Sequence, residues 1–260
     1  MDLLLKNKII IVTGGAKGIG EGIVKVLAGE GAIPVIIGRN EEDNKATLEV
    51  VTKLGRRGDQ FVAELSDPDA CREAVNAVAA KHKRIDGVVN NAGVNDSIGL
   101  EKGDYKSFIA SLHKNLVHYY LIVHHSLPYL KQSKGSVVNI GSKTAETGQG
   151  NTSGYAAANG GRNALTREWA VELLPYGIRV NAVIVAECYT PLYEKWISTF
   201  PNAEEKLQSI TEKIPLEKRM TTSEEIANMV AFLLSARSSH TTGQLLHVDG
   251  GYVHLDRALI

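Results

Sequence analysis

Residues 13–20 read Thr-Gly-Gly-Ala-Lys-Gly-Ile-Gly, between an apolar run and a helical pattern. The apolar, β-branched run Ile9–Val12 precedes them, and the helical pattern covers Gly20–Gly29. Glycines let the backbone turn tightly, and the N-terminus of the following helix presents free N–H groups to an anion. Glycine turns are common in α/β proteins, but this position between strand and helix predicts a pyrophosphate-binding turn.

Short apolar runs alternate with longer helical patterns along the whole chain, which predicts parallel βαβ units. The predicted strands are Ile9–Val12, Ile33–Ile37, Gln60–Ala63, Gly87–Asn90, Ser136–Ile140, Ile178–Val183 and Gln244–Val248. The predicted helices are Gly20–Gly29, Asp43–Leu54, Pro68–His82, Tyr105–Leu130, Ser153–Leu174 and Ser223–Leu234. We therefore expect one α/β domain over residues 1–260, a doubly wound parallel sheet with helices on both faces. Residues 187–217 contain no predicted strand and are interpreted as a substrate lid.

The composition is typical of a soluble globular protein and weakens several other classes. Lysine and arginine number 29, as do aspartate and glutamate, so no overall charge favours nucleic acid or an anionic membrane. The two cysteines, Cys71 and Cys188, form neither a disulfide framework nor a metal-ligand pattern. We expect a cytoplasmic protein with a small-molecule substrate, without a membrane span, a nucleic-acid partner or a metal site.

Further motifs follow in an order that identifies a family. Asn90–Gly93 reads Asn-Asn-Ala-Gly after the fourth strand, and Asn115 falls on the next helix. Ser142 follows the fifth strand, with Tyr155 thirteen residues later. Residues 181–183 (Asn-Ala-Val) and 248–251 (Val-Asp-Gly-Gly) complete the set. Over residues 6–252 the chain resembles the classical short-chain dehydrogenases/reductases, which have a Rossmann fold.

The resemblance implies hydride transfer between a nicotinamide cofactor and an alcohol or carbonyl carbon. It assigns the acid/base to Tyr155, the substrate oxygen contact to Ser142 and a proton-relaying water chain to Asn115. The implied cofactor-binding residues are Gly14, Lys17, Gly18, Ile19, Gly20, Arg39, Glu64, Leu65, Asn91, Ala92, Gly93, Tyr155, Asn159 and Ala186. The expected substrate-binding residues are Ser142, Glu146, Gln149, Tyr155 and Glu187.

Asn159 departs from the family pattern, which has lysine four residues after the tyrosine. A phenol titrates near pH ~10, so the lost charge predicts a weakened acid/base, and Asn159→Lys is expected to raise turnover. Arg162 and Lys143 are conceivable substitutes, although a surface or interface charge is the favoured interpretation of each. Two explanations remain, a naturally weakened enzyme or a substitution introduced to trap a complex, and the otherwise intact site favours the second.

A second departure follows Asn181-Ala182-Val183, where the family usually has Pro-Gly and this chain has Val185-Ala186. The backbone there normally contacts the nicotinamide carboxamide. Ala186 can still supply that contact if its φ is negative.

The end of the second strand predicts the cofactor. NAD-selective relatives place an acid where this chain has Gly38, followed by Arg39. Lys17 can reach the same corner, and two cations without a carboxylate suit a 2′-phosphate. We therefore expect NADP, with NAD as the alternative.

The residues expected near the pocket are polar, which favours a sugar or polyol over an apolar substrate. The C-terminal segment also resembles that of sugar dehydrogenases in the family, with an aldose such as fucose as the leading candidate. A 3-oxoacyl or hydroxysteroid-type carbonyl reductase and a non-catalytic nucleotide-binding protein remain alternatives. The resemblance also implies a homotetramer.

Overall fold

The computed structural model describes residues 1–256 and contains one seven-stranded parallel sheet in the order β3-β2-β1-β4-β5-β6-β7. Its strands are β1 Ile9–Thr13, β2 Ile33–Gly38, β3 Asp59–Val62, β4 Gly87–Asn90, β5 Ser136–Ser142, β6 Arg179–Val185 and β7 Leu245–Val248. The order reverses between β1 and β4, which are neighbours in the middle of the sheet. The predicted doubly wound sheet is confirmed, and the last four residues of the predicted domain lie outside the described residues.

Helices cover both faces of the sheet. They are α1 Gly18–Gly29, α2 Glu41–Lys53, α3 Pro68–His82, α4 Tyr105–Leu112, α5 His118–Ser133, α6 Ser153–Glu172, α7 Pro191–Ile197, α8 Ala203–Thr211 and α9 Ser223–Leu234. One apolar core lies between the sheet and α3, α5 and α6. The second lies between the opposite face and α1 and α9. Apolar strands without alternation are buried on both faces by this arrangement.

The predicted helix Tyr105–Leu130 is wrong in one respect, because it is interrupted by a π-helical turn over His113–Val117. A π turn lets a helical carbonyl bond outside the helix. The carbonyl of Asn115, within this turn, accepts a hydrogen bond from Nε of Arg162 at 2.7 Å. The tertiary contact on α6 therefore accounts for the break.

Residues 187–217 lack a strand of the sheet, as predicted, but they contain the helices α7 and α8. A parallel bridge between Cys188 and Thr221 fastens the ends of this segment to each other. Pro191 occupies the first turn of α7, and Thr190 caps that helix by accepting from the N–H of Tyr193 at 3.2 Å.

Candidate active site

The glycine-rich turn forms a backbone cradle at the N-terminus of α1. Gly14 and Gly18 adopt φ values of +63° and +57°, a region in which a side chain is strained. A Cβ on Gly20 would collide with the carbonyl of Gly14. Helix α1 begins at Gly18, so its first N–H groups face the turn together with the positive end of the helix dipole. The cradle fits a pyrophosphate group, and it lies where the cofactor is expected to bind.

The Asn-Asn-Ala-Gly motif fastens the end of β4 to this turn. The side-chain amide of Asn91 donates to the carbonyls of Thr13 and Gly14, at 3.0 and 3.2 Å. In return, the Thr13 hydroxyl accepts from the backbone N–H groups of Asn91 and Ala92. A Cβ on Gly93 would lie 2.8 Å from Nη2 of Arg162, so the absence of a side chain there makes room for the guanidinium.

The corner beyond β2 holds the two predicted cations, but also carboxylates. Lys17 pairs with Asp43 at 2.8 Å, and Arg39, whose side chain is 82% exposed, lies 3.8 Å from Glu64. Bonds from Ser66, then the Arg39 charge, hold the pKa of Glu64 below its usual value. The expectation of a corner without carboxylates is wrong, because α2 and the loop after β3 bring Asp43 and Glu64 to it.

A steric reason accounts for the missing acid at the end of β2. A Cβ on Gly38 would lie only 2.8 Å from the side-chain oxygen of Asn44. Asn44 is buried, and its side-chain amide nitrogen donates to the Gly38 carbonyl. A longer acidic side chain at this position would have to displace Asn44. Leu65, another predicted cofactor-binding residue, is buried in the loop after β3.

Ser142 and Tyr155 lie on segments that pack against each other. Ser142 ends β5, and its hydroxyl accepts from the backbone N–H and the hydroxyl of Thr144, at 3.3 and 3.1 Å. These bonds hold the short 3₁₀ turn Lys143–Ala145, which packs against α6. Tyr155 lies half-buried in the first turn of α6.

Arg162 lies inside the candidate site, so its interpretation as a surface or interface charge is wrong. The residue is 3% exposed, and its guanidinium carbon lies 4.3 Å from the ring centre of Tyr119 and 5.9 Å from that of Tyr155. One turn earlier on α6, Asn159 is fully buried and accepts from Nη1 of Arg162 at 3.0 Å. The side-chain amide of Asn159 donates to the carbonyl of Tyr155 at 2.9 Å.

Asn115 is held by its own surroundings. Its side-chain oxygen accepts from the N–H of Val94 at 2.8 Å, and its amide donates to the carbonyl of Ser111 at 3.1 Å. The side chain therefore fixes the loop after β4 against the π turn. Its predicted part in a water chain stays a prediction.

Lys143 and Glu187 form an ion pair next to the two strand ends expected to carry the reaction. Lys143 follows Ser142 after β5, and Glu187 follows Ala186 after β6. Each side chain is 11% exposed. The Lys143 ammonium also lies 4.0 Å from the ring centre of Tyr252. The sequence predicted Glu187 for the pocket. The interpretation of Lys143 as a surface or interface charge is wrong, because the residue is 8% exposed and paired with Glu187.

The remaining predicted residues, Gln149, Ala186 and Glu146, differ in exposure and in the contacts that they make. Gln149 is exposed in the turn before α6. Ala186 does not adopt a positive φ, so the condition for its backbone contact is met. Glu146 accepts from Asn163 on α6 at 3.4 Å and lies 3.1 Å from Nε2 of His247 on β7.

Glu146, His247 and His254 are the one group of the described residues whose ligand atoms approach closely enough to hold a metal ion, all within 4.8 Å of one another. Two imidazoles and a carboxylate are donors that zinc accepts. The cluster borders a surface pocket along Gly160 and Arg167 of α6. The sequence predicted no metal site and did not identify this group, because Glu146 lies about a hundred residues before the two histidines.

The comparisons with known proteins agree with this geometry. Residues 14–253 match the family described as enoyl-(acyl carrier protein) reductase. The 3-oxoacyl-[acyl-carrier-protein] reductase FabG of Thermotoga maritima is 33% identical, over 96% of this chain and 99% of that protein. The L-fucose dehydrogenase of Bos taurus is 32% identical, over 94% of this chain and 89% of that protein.

Solved structures of dehydrogenases and reductases are also similar to this chain. The crystal structure of Cj0485 dehydrogenase has a TM-score of 0.94 and 48% identity, covering 99% of this chain and 98% of that one. The actinorhodin polyketide ketoreductase, solved with NADPH, has a TM-score of 0.89 and 26% identity, covering 96% and 98% of the two chains. The chain therefore belongs to the short-chain dehydrogenase/reductase family, whose members are oxidoreductases that act on CH–OH groups and use NAD(P).

Across residues 1–256, every helix is too short or too polar to cross a bilayer.

Proposed function

We propose that this chain is an NADP(H)-dependent oxidoreductase that interconverts a hydroxyl and a carbonyl group of a sugar or polyol. The Lys143–Glu187 pair carries the proposal, because it borders Ser142 and Ala186. An ammonium and a carboxylate offer donors and acceptors to neighbouring hydroxyl groups. An acyl chain would desolvate the same charges without replacing their hydrogen bonds, which is costly.

In this proposal the protein holds the substrate and moves one proton. A bound nicotinamide supplies the hydride chemistry. Ser142 donates to the substrate oxygen and fixes the reacting geometry. Tyr155 accepts the hydroxyl proton during oxidation and returns it during reduction. The Asn115 side chain holds the loop after β4 against the π turn beside these groups.

The cofactor proposal rests on the corner beyond β2. Arg39 and Lys17 are exposed cations there, and Gly38 leaves no acid to bind a ribose 2′-hydroxyl. Both cations are in contact with carboxylates, and they would exchange these contacts for a 2′-phosphate, a more highly charged acceptor. NAD remains the alternative cofactor.

Further proposals concern the surroundings of the site. Residues 187–217 act as the lid over the substrate, and four chains assemble into a tetramer. The two cysteines, unpaired among the described residues and buried, suit a reducing compartment such as the cytoplasm.

The test is nicotinamide absorbance with both cofactors and two substrate panels, aldoses with polyols and 3-oxoacyl thioesters. The sugar proposal expects turnover with the first panel. It also expects Lys143→Met to raise KM for sugars with little change in cofactor binding. Turnover confined to the thioesters would overturn it.

A 3-oxoacyl reductase is the second candidate. The matched family and the Thermotoga maritima relative carry names of acyl-carrier-protein reductases. Leu192 and Trp196 on α7 expose 54% and 42% of their surface, which an acyl carrier or its chain could cover. A hydroxysteroid-type reductase would show activity with apolar ketones, and a non-catalytic protein would bind NADPH without turnover.

Asn159 leaves a specific question about rate. Under the hypothesis of a weakened site, Asn159→Lys raises turnover by about one to three orders of magnitude, the span of a positioned acid/base. The position of Arg162 leads to a different expectation.

A further inference from the structure

Tyr155 needs a nearby positive charge if it is to accept a proton near neutral pH. An ordinary phenol loses its proton near pH ~10. An opposite charge within about 4–6 Å favours the ionised form. Asn159 provides no charge, so a charge supplied by the protein comes from another side chain near the ring.

Arg162 is a cation that lies against the Tyr155 ring. It lies three residues after Asn159 on α6, so both side chains project from the same side of the helix. Its guanidinium carbon is 5.9 Å from the ring centre of Tyr155. The guanidinium also donates to the carbonyls of Asn115 and Ile140, at 2.7 and 3.2 Å. These bonds hold it among the segments that carry Asn115, Ser142 and Tyr155.

The charge of Arg162 is not neutralised by the surrounding protein. Its three hydrogen bonds go to two carbonyls and the neutral amide of Asn159. Within residues 1–256, no carboxylate lies at ion-pair distance from it, and its Nη2 is buried without a hydrogen-bond partner. A buried charge without a partner is costly. An anion that forms during the reaction would offset that cost.

The alternative cation, Lys143, is already engaged, because it pairs closely with Glu187. Of the neighbouring titratable groups, Tyr119 has its pKa raised to about 12 by burial, so it stays neutral. Burial, then the charge of Arg162, lowers the pKa of His118 to about 4. At neutral pH, His118 is therefore uncharged as well.

Beside α4 and the π turn, Asp96 of the loop after β4 accepts from Ser111, and Lys114 of the π turn lies 3.9 Å from Asp96. They form a partly exposed pair. Arg162 is thus the buried, uncompensated cation beside Tyr155.

We propose that Arg162 supplies the positive charge that stabilises the Tyr155 phenolate, in place of a lysine at position 159. Arg162 is a positioning residue that acts through Tyr155. Its role depends on the proposed function, in which Tyr155 is the acid/base. Asn159 then has a defined part, since its side-chain oxygen accepts from the guanidinium and its amide is anchored on the Tyr155 carbonyl. On this proposal, the positive charge of the site lies on Arg162, one turn of α6 after position 159.

The experiment removes the charge, keeps it or moves it. Arg162→Gln keeps a hydrogen-bond donor without charge, Arg162→Lys keeps the charge, and Asn159→Lys/Arg162→Gln moves it one turn back. Arg167→Gln is the matched control, because it makes the same change at an exposed position of α6. Circular dichroism and NADPH titration first select the variants that fold and bind cofactor.

For Arg162→Gln, we expect the rising limb of the pH–rate profile to move up by about 1–3 pH units, the effect of one nearby opposite charge. Turnover at neutral pH falls correspondingly, by about ten- to thousandfold. Arg162→Lys and the double variant recover most of the rate and the original profile. Asn159→Lys alone is expected to lower the rate, because it removes an acceptor of the guanidinium and places a second buried cation beside it. Arg167→Gln behaves as the parent.

A second readout does not depend on activity. Ultraviolet absorbance titration of a chain minus the same titration of its Tyr155→Phe variant isolates the ionisation of this phenol. We expect its midpoint to rise by about 1–3 pH units in Arg162→Gln. If the parent turns over no substrate, the proposed function fails while this titration still decides the role of Arg162.

Three results would overturn the inference. The first is an Arg162→Gln variant that folds and binds NADPH but keeps the parent's pH profile and phenol titration. The second is loss of activity in Arg162→Gln that the double variant does not restore, which would make Arg162 a purely structural tie. The third is a large gain in rate from Asn159→Lys alone.

Discussion

Arg39 is the most exposed of the residues proposed to read the cofactor, and a phosphate would have to draw it away from Glu64. We predict that Arg39→Ala weakens NADP(H) binding tenfold or more and leaves NAD(H) binding nearly unchanged. Removal of one charge-assisted contact costs about 1.5–3 kcal/mol. Fluorescence titration with both cofactors measures the effect.

The matched control for Arg39 is Lys45→Ala, which removes another exposed cation that pairs with Glu41 on α2. This control should bind both cofactors as the parent does. Equal losses for NADP(H) and NAD(H) in Arg39→Ala would show that Arg39 does not contact a 2′-phosphate.

Tyr155→Phe removes a single hydroxyl from the proposed acid/base. We predict a fall in turnover of at least about a hundredfold, the lower bound for a positioned acid/base, with little change in cofactor affinity. Steady-state rates and NADPH titration measure the two effects. Tyr105→Phe, at a ring that is 82% exposed, is the control. A Tyr155→Phe chain with half the parent's rate would contradict the proposal.

The sequence identified Tyr155 and Ser142 by spacing but could not assign Arg162. Helical spacing puts residues 159 and 162 on one side of α6, yet it does not say which side faces the sheet. Arginine is rarely fully buried, so exposure is the natural expectation. Gly93, Asn115 and Ile140 create the buried position, and these residues are distant in sequence.

Helix α5 begins at a buried histidine, and this gives the fold a dependence on acid. His118 is 1% exposed, and burial, then the charge of Arg162, lowers its pKa to about 4 from 6.5. Between these values the unfolded chain binds the proton and the folded chain does not. The stabilisation is therefore complete above pH ~6.5 and is lost as the pH falls toward about 4, at roughly 1.4 kcal/mol per pH unit.

We predict that His118→Gln flattens the fall in the free energy of unfolding between pH 6.5 and 4. Glutamine can still donate to the Lys114 carbonyl, the partner of Nε2 at 2.9 Å. Urea denaturation at several pH values measures the slope. His113→Gln, at the start of the π turn that precedes α5, is the control. An unchanged slope in His118→Gln would assign the acid sensitivity to other groups.

Local signals predicted helices well where the helix start is encoded nearby. Pro68–His82 and Ser223–Leu234 begin and end where the sequence placed them. Asp67 caps the first, and Thr222 and Glu225 form a capping box on the second. The π turn and the helices α7 and α8 were missed, because the former depends on Arg162 and the latter are short and flanked by prolines.

Helix α7 carries Trp196, which is 42% exposed and stacks edge-on against Tyr193 and Phe200, at 5.2 Å each. We predict that closure of the lid over cofactor and substrate shifts tryptophan emission to shorter wavelength, because the indole leaves water. The chain's other tryptophan, Trp169, is 6% exposed on α6 and serves as an internal reference. Trp196→Phe should abolish the shift. A shift that persists in this variant would argue against a moving lid.

At the scale of the whole molecule, the sheet explains why residues scattered over the sequence meet. The strands are parallel, so their carboxyl ends share one edge of the sheet, and the order reverses between β1 and β4. Ligands of open α/β sheets bind at such a reversal. At this edge, Gly14, Asn91 and Ala186 follow β1, β4 and β6, and Ser142 ends β5. The alternation of strands and helices therefore predicted the place of the site, whereas side-chain partners had to come from the structure.

The oligomeric state is a further property of the whole molecule. The resemblance implies that α5 and α6 pair across two-fold axes, and both expose apolar side chains, with Tyr120 49% and Val171 67% exposed. We predict a tetramer at micromolar concentration, since such surface is better buried between copies. Val171→Glu would place a charge in that contact and should shift sedimentation to smaller species with unchanged circular dichroism. Leu54→Glu, which alters a side chain 58% exposed at the end of α2, should leave the tetramer intact. A parent chain that sediments as a monomer would refute the assembly, while Val171→Glu that stays tetrameric would move the interface away from α6.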